Sequence, residues 1–521
     1  MSAIIKKIKL FNYRRFQEYC VEPNASVNIL VGDNEAGKSS ILEAIDLVAS
    51  GSIRRVETLG LDRLLNMDAV TNYNQGNRIF DSLPKLVVEL YLQGTFDFTM
   101  NGKNNSDKTV CDGIRLICQA NPDYQREIVN ALHGNSDYFP YEYYSIRFST
   151  FADEGYSGYR KKLKSVFIDS SNMNTEYATN DFVKRMYTQY TDGFPSEKAQ
   201  HKSLYRQMRE QFRNDALSTL NEKVPADTHY AFGLKPVSYL NFENDLMIYE
   251  DSIGIDNKGT GKQVLIKTDF ALAHAGENVD VILIEEPENH LSHVNLRNLV
   301  KRVSENRNGQ LFITTHNSLI STRLELKNLI IMHTQNTGFP VTLNSISDET
   351  ARYFMKAPPA NIIEFALSEK VILLEGPSEY ILFEKMYKTI TGNSPEQDGV
   401  HIMDVRGLSF KRYLEIAVLL GNKVAVITDN DKDYQKHCIN KYTDYANNPK
   451  IKICYDEDNT SYTFEVVMYQ SNQDLCNSLF GTDAMNYMLS NKTESAFKLL
   501  IAETEICVPH YIKGAIEWIK E

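Results

Sequence analysis

The sequence predicts an α/β chain of two modules, each built on a largely parallel sheet. Three observations predict it. Short apolar runs alternate with helix-like stretches in both halves of the chain. A glycine-rich loop, Gly32 to Ser39, separates one such run from a helix-like stretch near the start. Far downstream, two further apolar runs end in clustered acids.

The elements follow in order. Ile4–Phe11 mixes Ile and Leu with Lys, and Val27–Val31 is apolar except for Asn28, as in a buried strand. Ser40–Ala49 reads as a helix and Leu86–Leu92 as another strand. Residues 1–100 are therefore the first lobe of the first module. The turn-rich stretch from Met100 to Asp107 opens a region, 101–235, read as an inserted helical or dimerisation region. Leu204, Met208, Phe212, Ala216 and Leu220 recur every four residues there, which predicts the packing face of a long helix. The strand pattern returns near Tyr239. Val281–Ile284 and Leu311–Thr314 are buried strands of a second lobe, 236–350. A boundary follows near Ala357, Pro358 and Pro359. Val371–Leu374, Val400–Asp404 and Val424–Ile427 then predict a smaller α/β module over 369–521.

The chain has 521 residues, 42% of them apolar, enough for sizeable cores. Its formal charge of −12, from 56 Lys+Arg against 68 Asp+Glu, argues against a basic DNA-coating protein. The local run with Arg160, Lys161, Lys162 and Lys164 reads as a solvated strand edge. Seven cysteines without a CxxC pair predict reduced thiols and no zinc site. No secretory leader opens the chain and no apolar run could span a bilayer, so a cytoplasmic protein without a membrane partner is expected.

Gly32-Asp33-Asn34-Glu35-Ala36-Gly37-Lys38-Ser39 fits G-x-x-x-x-G-K-[ST] between a strand and a helix. Glycines let successive backbone N–H groups point at phosphates. Lys38 is expected at the β/γ-phosphates and Ser39 on Mg²⁺. Gly32, Asn34, Gly37 and Ser40 complete the expected contacts. The strand Val281–Ile284 ends in Glu285 and Glu286. Glu285 is expected in the magnesium shell, and Glu286 as the base that orients the attacking water. A helix N-terminus starting at Pro287 would also favour these acids. Gly259 and Gly261 lie upstream in a Gly-Thr-Gly-Lys-Gln segment, and His316 follows the next strand. Loop, glycine signature, carboxylate strand and histidine occur in the order of ABC-type ATPases, which this half resembles. The resemblance implies ATP as ligand, His316 as γ-phosphate sensor, and a homodimer or higher homo-oligomer, because the signature acts on the partner's nucleotide.

In the second module Glu375 ends a strand and Glu379 follows after Gly376. Asp429 and Asp431 end another strand some fifty residues on. Strand-end carboxylates of a parallel sheet meet at its carboxyl edge. Four acids there repel unless hard cations, Mg²⁺ or Mn²⁺, sit among them. A lone Asp-x-Asp is common on surfaces; the ordered pair of motifs carries the signal.

These residues resemble the Toprim pattern, and an ABC-type ATPase followed by a Toprim domain resembles the OLD family of nucleases. The Gabija nuclease subunit is similar. The resemblance covers nearly the whole chain but is poor in 101–235. It implies a metal-dependent DNA endonuclease governed by ATP, with a role in antiphage defence. It also implies Glu465, in Thr463-Phe464-Glu465, as a further metal ligand and Lys492 as a catalytic lysine. The signature departs from the usual Ser-Gly-Gly. A helicase or retron-type partner stays open. Two rival readings share part of this pattern. A topoisomerase-like enzyme needs a tyrosine on a separate DNA-binding domain, for which no room is expected. An SMC-like DNA tether needs long heptad arms, which are missing.

Overall fold

The computed structural model describes residues 3–521 apart from 96, 135–137, 159–160, 170–175, 192–193, 225–228, 235–241, 274–278, 306–308, 318–319, 321–322, 333–339, 357–360 and 408. Arg160, Tyr239 and the expected boundary at Ala357, Pro358 and Pro359 thus lie outside the described residues. The chain divides into two compact units, Met1–His316 with Thr334–Pro340, and Asn317–His333 with Val341–Glu521.

Two larger sheets build the first unit, beside a short antiparallel hairpin of β9 (Tyr249–Glu250) and β10 (Ile253–Gly254). β1 (Ile4–Tyr13), β2 (Phe16–Val21), β4 (Leu86–Gln93), β5 (Asn101–Gly102), β6 (Cys111–Ala120) and β7 (Tyr144–Thr150) form an antiparallel sheet in the order β2-β1-β4-β6-β5, with β7 also on β6. The four strands of the second sheet that lie in this unit run parallel. Here β3 (Val27–Gly32) neighbours β12 (Gln310–Thr314), then β11 (Val281–Glu285), then β8 (Ser165–Asp169). All four are nearly fully buried, which is why they read as apolar runs rather than alternations. Gln310 joins the sheets. Its buried amide accepts from Ile5 N–H and donates to the Ile5 and Asn24 carbonyls.

The helices expected across 101–235 occupy only part of it, chiefly Glu176–Tyr190 and Pro195–Asp215. Residues 101–169 instead supply β5 to β8 to both sheets. The sequence hides this because β6 (CDGIRLICQA) is strand-like only as half-buried alternation with Asp112 and Arg115. The predicted helical stripe forms, yet Leu204, Met208 and Phe212 are exposed rather than packed, and the helix ends before Ala216 and Leu220. All seven cysteines are free thiols. No described helix is long and apolar enough to cross a membrane.

The second unit holds a short antiparallel pair, β13 (Leu329–Met332) with β14 (Val341–Thr342), and a four-stranded parallel sheet. The sheet comprises β15 (Lys370–Leu374), β16 (Val400–Asp404), β17 (Lys423–Ile427) and β18 (Ile451–Cys454), ordered β16-β15-β17-β18. The chain order reverses between β15 and β17, so the ligand crevice of such a sheet opens there. Helices Pro377–Thr391, Lys492–Ile501 and His510–Lys520 bury Leu382, Phe383, Met386, Leu499, Ile512 and Ile516 in one core. β18 escaped the sequence reading because IKIC is short and interrupted by Lys452, which caps the Gly514 carbonyl.

Candidate active sites

In the first unit, β3 runs into the loop Asp33–Gly37, and helix α1 (Lys38–Ser50) starts on Gly37 at φ 94°. A Cβ there would overlap the Phe16 ring and the Arg15 side chain, so only glycine fits. Lys38 is buried and donates to the Gly32 and Asp33 carbonyls at 2.8 and 2.9 Å. Burial lowers its pKa, opposed by the charges of Glu286 and Asp33. A cavity of about 570 Å³ is lined by Asn34, Gly37, Lys38, Ser39, Ser40 and Glu286.

Glu285 ends β11 beside Asp169 of β8 and accepts a hydrogen bond from Ser39. Burial, countered by that bond and reinforced by Asp169 and Glu286, holds its carboxyl above the ordinary range. Glu286 has a left-handed backbone, φ 39°, and its N–H is held by Thr314. Its carboxylate stands 3.4 Å from His316 Nε2 and accepts from Asn289. The structure thus gathers Lys38, Ser39, Glu285, Glu286 and His316 at the carboxyl ends of β3, β11 and β12.

Gly259 and Gly261 open helix Thr260–Ala273 and do not line this cavity. Gly261 lies so close to the His290 carbonyl that a Cβ would overlap it. Sequence reasoning missed Glu288, which accepts from the Thr315 hydroxyl and His316 N–H at 2.6 and 2.7 Å. It also missed Arg14, Arg15 and Arg63 in the cavity wall. The Arg-Arg pair at the tight β1–β2 turn was the available signal.

In the second unit Glu375 follows β15 and Asp429 follows β17, across the switch point. Glu375 Oε2 accepts from Thr428 Oγ1 at 2.9 Å and from Asp429 N–H at 3.0 Å. Glu379 stands buried in the first turn of Pro377–Thr391. Glu465 is buried at the start of helix Phe464–Ser471, and Lys492 Nζ donates to its Oε2 at 2.9 Å. Burial pushes Asp429 up to about 9, with the charges of Glu375, Glu379 and Glu465 adding to it and Lys492 opposing. Burial likewise pushes Glu379 up to about 8, with Glu465 and Glu375 adding. Each acid therefore feels its neighbours. Asp431 is exposed at the adjoining turn, φ 49°, its N–H on the Tyr462 carbonyl. Among the described residues no three His, Cys, Asp or Glu side chains form a ready ion cage.

The family described as Overcoming lysogenization defect protein-like, TOPRIM domain, matches residues 367–431. The AAA ATPase domain family matches residues 4–225, and a second AAA domain family matches 141–322. The chain joins an AAA-type ATPase to an OLD-like TOPRIM domain. The motif residues Glu375, Glu379, Asp429 and Asp431 fall inside the TOPRIM match, and Glu465 and Lys492 lie beyond it.

A stretch of 162 residues is 29% identical to Endonuclease GajA of Bacillus cereus, covering 31% of this chain and 28% of that protein. A stretch of 122 residues is 27% identical to the DNA replication and repair protein RecF of Clostridium kluyveri, covering 23% and 32%. The matches thus span about a third of these curated relatives. Among solved structures, the C-terminal region of the Burkholderia pseudomallei OLD protein aligns over 29% of this chain and 97% of that one, at 16% identity and TM-score 0.24.

Proposed function

We propose that the chain is an ATP-regulated, divalent-metal-dependent DNA endonuclease of the cytoplasm, acting in antiphage defence as a homo-oligomer. One observation carries the cleavage reading. Glu375 accepts from Asp429 N–H across the switch point of the TOPRIM sheet, Glu379 and Glu465 act on Asp429 as like charges, and Lys492, bonded to Glu465, opposes them. Buried carboxylates that repel one another are costly unless a cation compensates them. Their oxygens are the hard donors that Mg²⁺ or Mn²⁺ takes. Glu375, Glu379, Asp429 and Glu465 would hold the metal, with Asp431 at the rim. When bound, the metal supplies Lewis-acid polarisation of a phosphodiester and an activated water.

The side chains have separate tasks. Lys492 offsets charge gathering on the phosphate. Glu375 fixes the Asp429 backbone through its own accepted bonds. The first unit binds ATP through Lys38 and Ser39, with Glu285 toward magnesium. Glu286, oriented by Asn289 and His316, takes the proton of the attacking water. Because Gly259 and Gly261 lie outside this cavity, a partner's signature completes the site. The similarity to an endonuclease and to a DNA repair protein supports DNA as substrate; the defence role rests on the OLD-like resemblance. The test is supercoiled-plasmid nicking with Mn²⁺, with Mg²⁺ and with EDTA. Cleavage that persists in EDTA overturns the metal mechanism.

A further inference from the structure

We propose that Glu288 is a positioning residue of the ATP site, one that clasps the loop after β12 and so sets His316 against the Glu286 carboxylate. This rests on the ATPase reading above. β11 and β12 pair in parallel, with Glu285 in register with Thr314. The ladder stops there, so the backbone groups beyond it need other partners. Glu286 N–H donates to the Thr314 carbonyl and hydroxyl, each at 3.1 Å. Glu288 supplies the second tie. Its Oε1 accepts from the Thr315 hydroxyl at 2.6 Å and from the His316 N–H at 2.7 Å.

Bonds to a carboxylate are the stronger class of hydrogen bond. These two fix the His316 backbone, and with it the point from which the ring projects. His316 Nε2 lies 3.4 Å from Glu286 Oε1, and Asn289 Nδ2 donates to Glu286 Oε2 at 2.9 Å. Asn289 and Glu288 sit on the same short helical turn, Pro287–His290. The far end of that turn is held as well, because the His290 carbonyl lies where a Cβ on Gly261 would overlap it. One turn therefore orients both Glu286 oxygens, through Asn289 directly and through Glu288 by way of His316.

The two acids have different tasks. Glu286 lines the nucleotide cavity, and Glu288 is not among its described lining residues. Glu288 Oε2 is buried and makes no hydrogen bond among the described residues, so the bonds of this carboxylate go to Thr315 and His316. Its charge reaches Lys38, alongside those of Glu286 and Asp33. A Glu286 carboxylate held from both sides is already oriented to take a proton from the attacking water. Glu288 acts through the neighbours of Glu286 and leaves the bond-breaking groups untouched.

The experiment uses the full chain with Mg²⁺ and ATP, and reads steady-state hydrolysis beside ATP binding by isothermal titration. Glu288→Ala is expected to lower kcat on the order of 100-fold, the cost of a catalytic group misplaced by about 1 Å, with KM and ATP affinity within about threefold of wild type. Glu288→Gln is expected to keep kcat within about threefold of wild type, because its amide oxygen accepts the same two bonds. In a His316→Ala background, Glu288→Ala is expected to cost less than about threefold more, because its effect runs through His316. Wild-type kcat in Glu288→Ala, or an undiminished loss in the His316→Ala background, overturns the clasp while leaving the ATPase reading in place. A loss in Glu288→Gln equal to that in Glu288→Ala assigns the effect to charge near Lys38 and also overturns it. Where Glu288→Ala fails to fold, Thr315→Val takes its place, since it removes the 2.6 Å bond alone. That variant is expected to lose about tenfold in kcat at unchanged KM, and wild-type kcat there overturns the clasp. A wild-type chain that does not hydrolyse ATP, or a His316→Ala variant at the wild-type rate, overturns the reading of the ATP site, and this inference with it.

Discussion

Lys492 Nζ lies 2.9 Å from Glu465 Oε2, bridging two helix N-terminal turns that are 27 residues apart in the chain. At Asp429 the charge of Lys492 opposes those of three carboxylates, Glu375, Glu379 and Glu465. Lys492→Gln is therefore expected to lower plasmid nicking by at least about 100-fold, the cost of removing one preorganised charge from a transition state. ATP hydrolysis by the same variant is expected to stay near wild type. Equal nicking by the variant would remove Lys492 from the mechanism.

Asp429 gives an opposite pair of effects. Its ordinary pKa is near 3.9 unfolded, and burial with three acidic neighbours pushes it up to about 9 in the fold. The folded chain then binds the proton more tightly than the unfolded one. Without metal, this group's contribution to stability falls as pH rises from about 4 to about 9. Asp429→Asn removes the repulsion. It is expected to raise the melting temperature in EDTA at pH 8 by a few degrees, at about 2–4 °C per kcal/mol. Added Mn²⁺ is expected to stabilise wild type more than the variant, and the variant is expected not to cut DNA. A lower melting temperature for the variant in EDTA would contradict the repulsion.

Lys38 and Glu286 separate binding from hydrolysis. Lys38→Ala is expected to abolish tight ATP binding, measured by isothermal titration. Glu286→Gln is expected to retain binding and slow turnover by about 100-fold or more. Under the proposed ATP regulation, Lys38→Ala is also expected to alter plasmid cleavage in the presence of ATP, as a coupling between two ligand sites requires. Identical nicking by wild type and variant, with and without ATP, would leave the modules merely tethered.

Asp46 tests the fold of the ATPase. It is fully buried on α1, accepts from Ser165 at 2.8 Å, and pairs with Arg55 and Arg185. Against the upward push of burial, the two guanidinium groups hold its carboxyl well below the usual carboxylate range. Its stabilising contribution is thus complete above about pH 4, the unfolded value, and is lost as pH falls further. Asp46→Asn is expected to cost about 3 kcal/mol, because it takes the fully buried carboxylate away from two partly buried guanidinium groups. Chemical denaturation at pH 7 checks this, and the gap between wild type and variant is expected to narrow below pH 4.

The sequence by itself determined the motifs whose spacing is local. Gly32 to Ser39 reads as a phosphate loop between a strand and a helix, because backbone wrapping, Lys38 and Ser39 all lie within eight residues. Glu285–Glu286 and Glu375 were legible for the same reason: an apolar run marks a buried strand, and the acids at its end mark the edge. Tertiary structure decided what depends on distant partners. Residues 101–169 read as part of an insertion, yet β6 and β7 complete an antiparallel sheet whose first strand begins at Ile4. Half-buried alternation carries too weak a signal to announce such pairing. Glu288 looked like one more acid after Pro287 until folding set it under Thr315 and His316. Glu465 and Lys492 begin separate helices, and only the packing of those helices brings a buried carboxylate to its ammonium. Local pattern fixes conformation over a few residues. Long-range pairing and burial fix which charges meet, and those are energies of the whole fold.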